Sequence, residues 1–266
     1  MGYMFEGLRA WEAASGAFFL YTAAVAALPR RLTHRRRIRA IGAAAGAFGL
    51  VCVSTALPAL PIIHDWLLPP VLLLVAYWTS GLLFVAPMPA VERLLLRVDA
   101  AARVRRIAAA VPRGIAECLE CAYAAVYLLI PIAYVIHLWL TPAPDPVGFW
   151  SVILTTDYLC FAVLPWVQTR PPRSLEGGEP WDARVRRFNV RLLGATSIDV
   201  NTFPSGHAAE ALAAALLVID APPPVVVGML IVAAAVSTGA VLGRYHFAAD
   251  AAAGWLVAIM VWRSMC

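Results

Sequence analysis

The chain has 266 residues, of which 62% are apolar and only 14% charged, with a mean hydropathy of +0.76 and a formal net charge of +5. A soluble domain is roughly 45–50% apolar and about 25% charged, so the composition excludes a soluble globular enzyme, a disordered chain and a disulfide-stapled secreted domain. What remains is an all-α polytopic membrane protein, because the apolar runs are continuous rather than alternating as in a transmembrane barrel.

At roughly 20 apolar residues per spanning helix, the chain predicts about eight spans. In chain order they are 11–29, 40–63, 66–87, 114–140, 147–167, 204–220, 224–243 and 246–263. The first is not expected to be a cleaved signal peptide, since only Arg9 precedes it while Arg30, Arg31, Arg35, Arg36, Arg37 and Arg39 follow. Between the third and fourth spans, residues 88–113 set Arg93, Arg97, Arg103, Arg105 and Arg106 among Leu94, Leu95, Val98, Val104 and Ile107. That pattern predicts an amphipathic helix lying on the membrane surface. Residues 168–203 mix Pro, Gly and charge, and are expected to form a loop with one short helix. The five cysteines include a C-x-x-C at Cys118 and Cys121, but no second pair completes a zinc set.

All 21 basic residues are arginine, and 19 of them fall in loops that eight spans would bring to one face. Positive residues in short loops stay in the cytoplasm, so this face is expected to be cytoplasmic, in a bacterial inner membrane, with both termini outside. The same placement argues against a nucleic-acid partner, and no protein partner is expected.

Three polar stretches recur at that face: Gln168–Arg173, Pro204–His207 and Gly243–Asp250. His246 and Asp250 are spaced i, i+4, which predicts a shared helix face. A carboxylate there fixes one imidazole tautomer and leaves the other nitrogen as a nucleophile. Pro204-Ser205-Gly206 opens a helix whose first N–H groups can hold an anion, and His207 in that first turn can protonate a leaving oxygen. Arg170 and Arg244 offer planar forks for phosphate oxygens, with Gln168, Arg173 and Glu210 as further candidates. Glu117, Glu120 and Asp157 are carboxylates within apolar spans, where such groups are functional by default.

Arg170-Pro171, Pro204-Ser205-Gly206-His207 and His246-x-x-x-Asp250 resemble the three signature motifs of the type 2 phosphatidic acid phosphatase superfamily. The form of the first and third motifs is most similar to the branch that contains inositol phosphorylceramide synthases. The resemblance implies a six-helix core, so residues 1–65 are expected to be two added N-terminal helices and 66–266 the phosphatase-like domain. Two positions depart from the family pattern: Val163 stands where a lysine is common, and Ala240 where an arginine is common. The resulting expectation is a cofactor-free membrane phosphatase acting on a lipid phosphate or diphosphate through a phosphohistidine, with His207, His246 and Asp250 catalytic. Arg170, Ser205, Gly206 and Arg244 would bind substrate, and no metal is expected. The alternatives are a phosphotransferase that passes the group to a hydroxyl, and a non-catalytic binder or transporter of lipid headgroups.

Overall fold

The computed structural model describes residues 8–28, 32–56, 60–198 and 200–266. Arg30 and Arg31 of the first basic loop, and 57–59 of the second expected span, lie outside the described residues. The described residues form eleven α-helices: α1 (Ala10–Ala27), α2 (His34–Ala56), α3 (Leu68–Leu82), α4 (Pro89–Ala101), α5 (Val104–Ala110), α6 (Arg113–Leu140), α7 (Pro146–Val163), α8 (Arg184–Thr196), α9 (Gly206–Leu216), α10 (Pro223–Leu242) and α11 (Ala248–Met265). A π-helical stretch, Ile62–Leu67, runs directly into α3.

Among the described residues, five segments are long and apolar enough to cross a membrane: His34–Ala56, Ile62–Leu82, Arg113–Leu140, Pro146–Val163 and Pro223–Leu242. The chain is an integral membrane protein, and among the described residues five, not eight, of the expected spans reach that length and composition. The shortfall comes from helix length in α9 and from polar residues in α1 and α11. The α9 helix is alanine-rich and has only 11 residues, a rise of about 16 Å against a hydrocarbon core of about 30 Å. Helices α1 and α11 reach 18 residues but include buried Glu12, Ser15, Thr22 and Asp250.

The basic cluster also differs from expectation. Arg35, Arg36, Arg37 and Arg39 form the opening turns of α2 rather than a loop. The surface stretch 88–113 is two helices instead of one, broken at Ala102–Arg103, where Arg103 adopts a left-handed conformation with φ 55°. Leu94, Val98 and Ile107 are exposed, while Glu92, Leu95 and Asp99 share the buried face of α4.

Helix α9 sits in the middle and packs against α6, α7, α10 and α11. Its alanines at 208, 209, 211, 213, 214 and 215 are all fully buried, and such small side chains let neighbouring backbones approach closely. The closest approach is by α11: a Cβ on Gly254 would stand 2.5 Å from the Ser205 carbonyl and 3.2 Å from the Ala209 nitrogen. The N-terminal helices dock on α7, where Phe18 stacks on Tyr158 at 4.5 Å and the Ser15 and Tyr158 hydroxyls lie 2.9 Å apart. Between α1 and α2, buried Glu12 accepts a hydrogen bond from Ser54 Oγ at 2.9 Å.

Gly254→Ala should therefore push α11 away from the start of α9. Overpacking of this kind destabilises by roughly 1–3 kcal/mol, and a lowered thermal midpoint in detergent, measured beside Gly228→Ala, which meets no neighbouring atom, is the expected result.

Candidate active site

The two expected catalytic histidines meet at the junction of α9 and α11. Ser205 caps α9, its hydroxyl accepting from the Ala208 N–H at 3.3 Å, and its own N–H donates to the Asp250 carbonyl at 2.9 Å. His207 follows in the first turn. His246 precedes the α11 cap residue Phe247, so the His246–Asp250 pair spans a helix start rather than lying along one helix face. Asp250 Oδ2 accepts the Phe247 N–H at 2.8 Å and stands 3.5 Å from His246 Nδ1, which has no other partner among the described residues. The rings of His207 and His246 are 5.7 Å apart between centroids.

Asn201, absent from the motifs, holds this arrangement together. Its Nδ2 donates to Asp250 Oδ2 at 2.9 Å and to Thr169 Oγ1 at 3.0 Å, and its backbone N–H donates to the Thr169 carbonyl at 3.0 Å. One buried amide thereby joins the stretch around 169 to α11. A single Asn in an irregular loop carries no periodic or spacing signal, which is why sequence reasoning passed over it.

The structure separates the three arginines. Arg170 does not line the cavity beside the histidines; its Nε and Nη2 donate in a fork to Glu92 of α4 at 3.0 and 2.9 Å, and its backbone N–H reaches the same carboxylate at 2.9 Å. Those bonds from Arg170 hold the Glu92 carboxyl below its ordinary range and raise the guanidinium above its own. Arg244, buried with φ 60°, donates to Asp99 Oδ2 at 2.6 Å and Glu176 Oε2 at 2.8 Å, again outside the cavity. Arg173 is the guanidinium that does line the cavity with both histidines, 5.3 Å over the Tyr245 ring.

Other candidates are structural ties. Gln168 Oε1 accepts from the Val85 and Ala86 N–H groups at 2.7 and 3.0 Å, closing the turn between α3 and α4. Glu117 accepts the Arg184 and Val185 N–H groups at 2.7 and 3.0 Å, at the start of α8. Buried Glu120 gathers Trp181 Nε1, Asn189 Nδ2, Arg186 Nη1 and the Tyr245 hydroxyl at 2.7–3.0 Å. Burial, and then Glu120, push the Tyr245 phenol well above its usual range, so it stays a donor. Tyr245 in turn stacks on Tyr123 at 4.1 Å, and Tyr123 lies 5.4 Å from His207.

The cavity measures about 630 Å³. Gly206, Asp157, Glu210 and Arg173 line the end that holds the histidines, while Ser205 is capped away from it. A Cβ on Gly206 would come within 3.3 Å of Asp157 Oδ1, so glycine permits that approach of α9 to α7. From there the cavity runs along α6 from Tyr123 to Tyr134, about 16 Å of helix, between walls that include Trp66, Tyr77 and Trp78. Pockets that are mostly apolar with a few converging polar groups are the usual form of a small-molecule site.

Residues 149–266 match the family model of the PAP2 superfamily. The matched region begins in α7 and includes His207, His246, Asp250, Gly206 and Arg173. The PAP2 match leaves out α3, α4 and α6, which supply Tyr77, Trp78, Tyr123, Tyr127 and Tyr134 of the cavity wall and the carboxylate that holds Arg170. No curated protein and no solved structure matches the chain.

The Glu92–Arg170 pair makes a pH-dependent contribution with a defined sign. A carboxyl whose folded pKa is depressed stabilises above its ordinary value, here 4.5, and that stabilisation is lost as pH falls through the folded pKa. Thermal midpoints of wild type and Glu92→Gln in detergent should differ by a constant gap at neutral pH, and the gap should close on the acid side of 4.5.

Proposed function

We propose that the protein is a membrane-embedded phosphatase that removes phosphate from a lipid phosphate or diphosphate through a phosphohistidine. The observation that carries this reading is the pair of imidazoles 5.7 Å apart at the polar end of a long aromatic cavity, with Arg173 beside them. His246 Nε2 attacks phosphorus while its Nδ1–H faces Asp250. His207 takes the proton that the arriving phosphate monoanion carries and gives it to the departing lipid oxygen as the P–O bond breaks. Water then attacks the phosphohistidine, losing a proton to His207; the P–N bond breaks, and phosphate leaves. Arg173 and the N–H groups at the start of α9 hold the phosphoryl oxygens as charge builds. Arg170 and Arg244 serve as braces, and the lipid tail lies along α6. Charge neutralisation by a guanidinium and amides requires no divalent cation.

His246→Ala should reduce turnover to background, and His207→Ala should lower it by about 10²–10⁴-fold. Arg173→Ala should lower kcat by about 10²–10³-fold, as removal of one preorganised donor does, whereas Arg170→Ala should act mainly on stability. Phosphate release from a phosphatidate or polyprenyl phosphate without an added hydroxyl acceptor, insensitive to EDTA and blocked by vanadate, is the expected behaviour. Wild-type turnover by purified His246→Ala would overturn the assignment, and release only with an added alcohol would favour phosphotransfer.

We also propose that the site opens at the cytoplasmic face of a bacterial inner membrane, because α4 and α5, with the turn between them, carry Arg93, Arg97, Arg103, Arg105 and Arg106, and α4 is bonded to Arg170 and Arg244 beside it. Single cysteines at Arg35 and Arg184, in a background lacking the five native cysteines, should resist an impermeant thiol reagent in intact cells. Labelling of both would reverse the orientation.

A further inference from the structure

A second pocket, of about 240 Å³, shares no lining residue with the catalytic cavity. Its walls carry Arg103, Arg105, Arg106 and Arg244 against Asp99 and Glu176. Both carboxylates are already engaged with Arg244 at 2.6 and 2.8 Å, and Asp99 Oδ1 also accepts the Ala248 N–H at 3.0 Å. Among the described residues no carboxylate pairs with Arg103, Arg105 or Arg106; Arg105 Nη2 donates only to the Gly177 carbonyl, at 2.8 Å. The pocket is therefore cationic beyond what its own acids offset.

A second observation comes from Arg244 itself. It is 3% exposed, and its Nη2 has no hydrogen-bond partner among the described residues. A buried charged donor left unsatisfied is destabilising, and native structures rarely keep one without a ligand or water to answer it. An anion seated among Arg103, Arg105 and Arg106 supplies an acceptor for this Nη2, which the two carboxylates on Arg244 leave unanswered. Its source is indicated by the surroundings: Leu94, Val98 and Ile107 are exposed on the same two helices, so the pocket belongs to a stretch that also presents apolar side chains to a bilayer. The volume suits a phosphate with a small polar substituent.

We infer that this pocket holds the phosphate-bearing headgroup of an anionic membrane lipid that is not the substrate. The site sits at the 243–246 turn, where the Tyr245 and His246 N–H groups both donate to the Ala240 carbonyl at 2.9 and 3.0 Å, so the headgroup binds directly behind the nucleophile. Arg103 and Arg106 are exposed, and their replacement leaves the Arg105–Gly177 and Arg244 bonds intact.

The test is native mass spectrometry of the full-length protein in detergent, titrated with phosphatidylglycerol and, separately, phosphatidylcholine. Wild type should retain phosphatidylglycerol in preference to phosphatidylcholine. Arg103→Ala/Arg106→Ala should weaken that retention by about 25-fold, roughly fivefold for each arginine at an anionic surface. The control Arg35→Ala/Arg39→Ala, in the exposed cluster of α2, should keep it. Equal retention by wild type and Arg103→Ala/Arg106→Ala, an equal loss in the control, or displacement of the lipid by inorganic phosphate at millimolar concentration would each overturn the inference. The readout is binding, so it stands apart from whether the chain hydrolyses any phosphate.

Discussion

Everything at the histidine end of the cavity depends on what converges on Asp250. Its carboxylate accepts from Asn201 and from the Phe247 N–H, its carbonyl accepts from Ser205, and His246 Nδ1 faces it. Remote stretches of chain, around 169, 201, 205 and 246, are thereby fixed to one another within a dry interior. The network is not closed: Asp250 Oδ1 and Asn201 Oδ1 are buried without a hydrogen-bond partner among the described residues. The close approach of α11 to α9 at Gly254 brings Asp250 within reach, and the alanine face of α9 makes that approach sterically possible.

A second layer of order comes from carboxylates that hold arginines away from the cavity. Glu92 and Asp99 lie on the buried face of α4 and bind Arg170 and Arg244, and Glu120 binds Arg186. A buried ion pair is weak support for net stability, but it fixes direction. With Arg170 and Arg244 so held, Arg173 is left as the cavity's guanidinium, tied by its backbone N–H to the Arg244 carbonyl at 3.0 Å.

Much of this was legible in the amino-acid sequence, and the failures have physical causes. The helices rich in Leu, Val and Ile, such as α6 and α10, fall within a few residues of expectation, because continuous hydrophobic area marks them directly. The span count departs from expectation at α1, α9 and α11, where α9 is short and polar residues interrupt the apolar area of the other two. His207, His246 and Asp250 are brought together as their motifs suggest. Among the arginines the sequence could not discriminate, since identical side chains differ only in which carboxylate each meets, and Glu92 and Asp99 looked like ordinary polar positions of a surface helix. Asn201 had no pattern to betray it.

The aromatic wall along α3 and α6 has an implication for how such a protein can change over time. The two histidines and Asp250 lie in 149–266, while Trp66, Tyr77, Trp78 and Tyr127 lie before that boundary and Trp150 and Phe161 lie within it. Substitutions at the first four aromatics therefore reshape the cavity without touching the family-matched stretch, whereas those at Trp150 and Phe161 fall on the same stretch as the histidines.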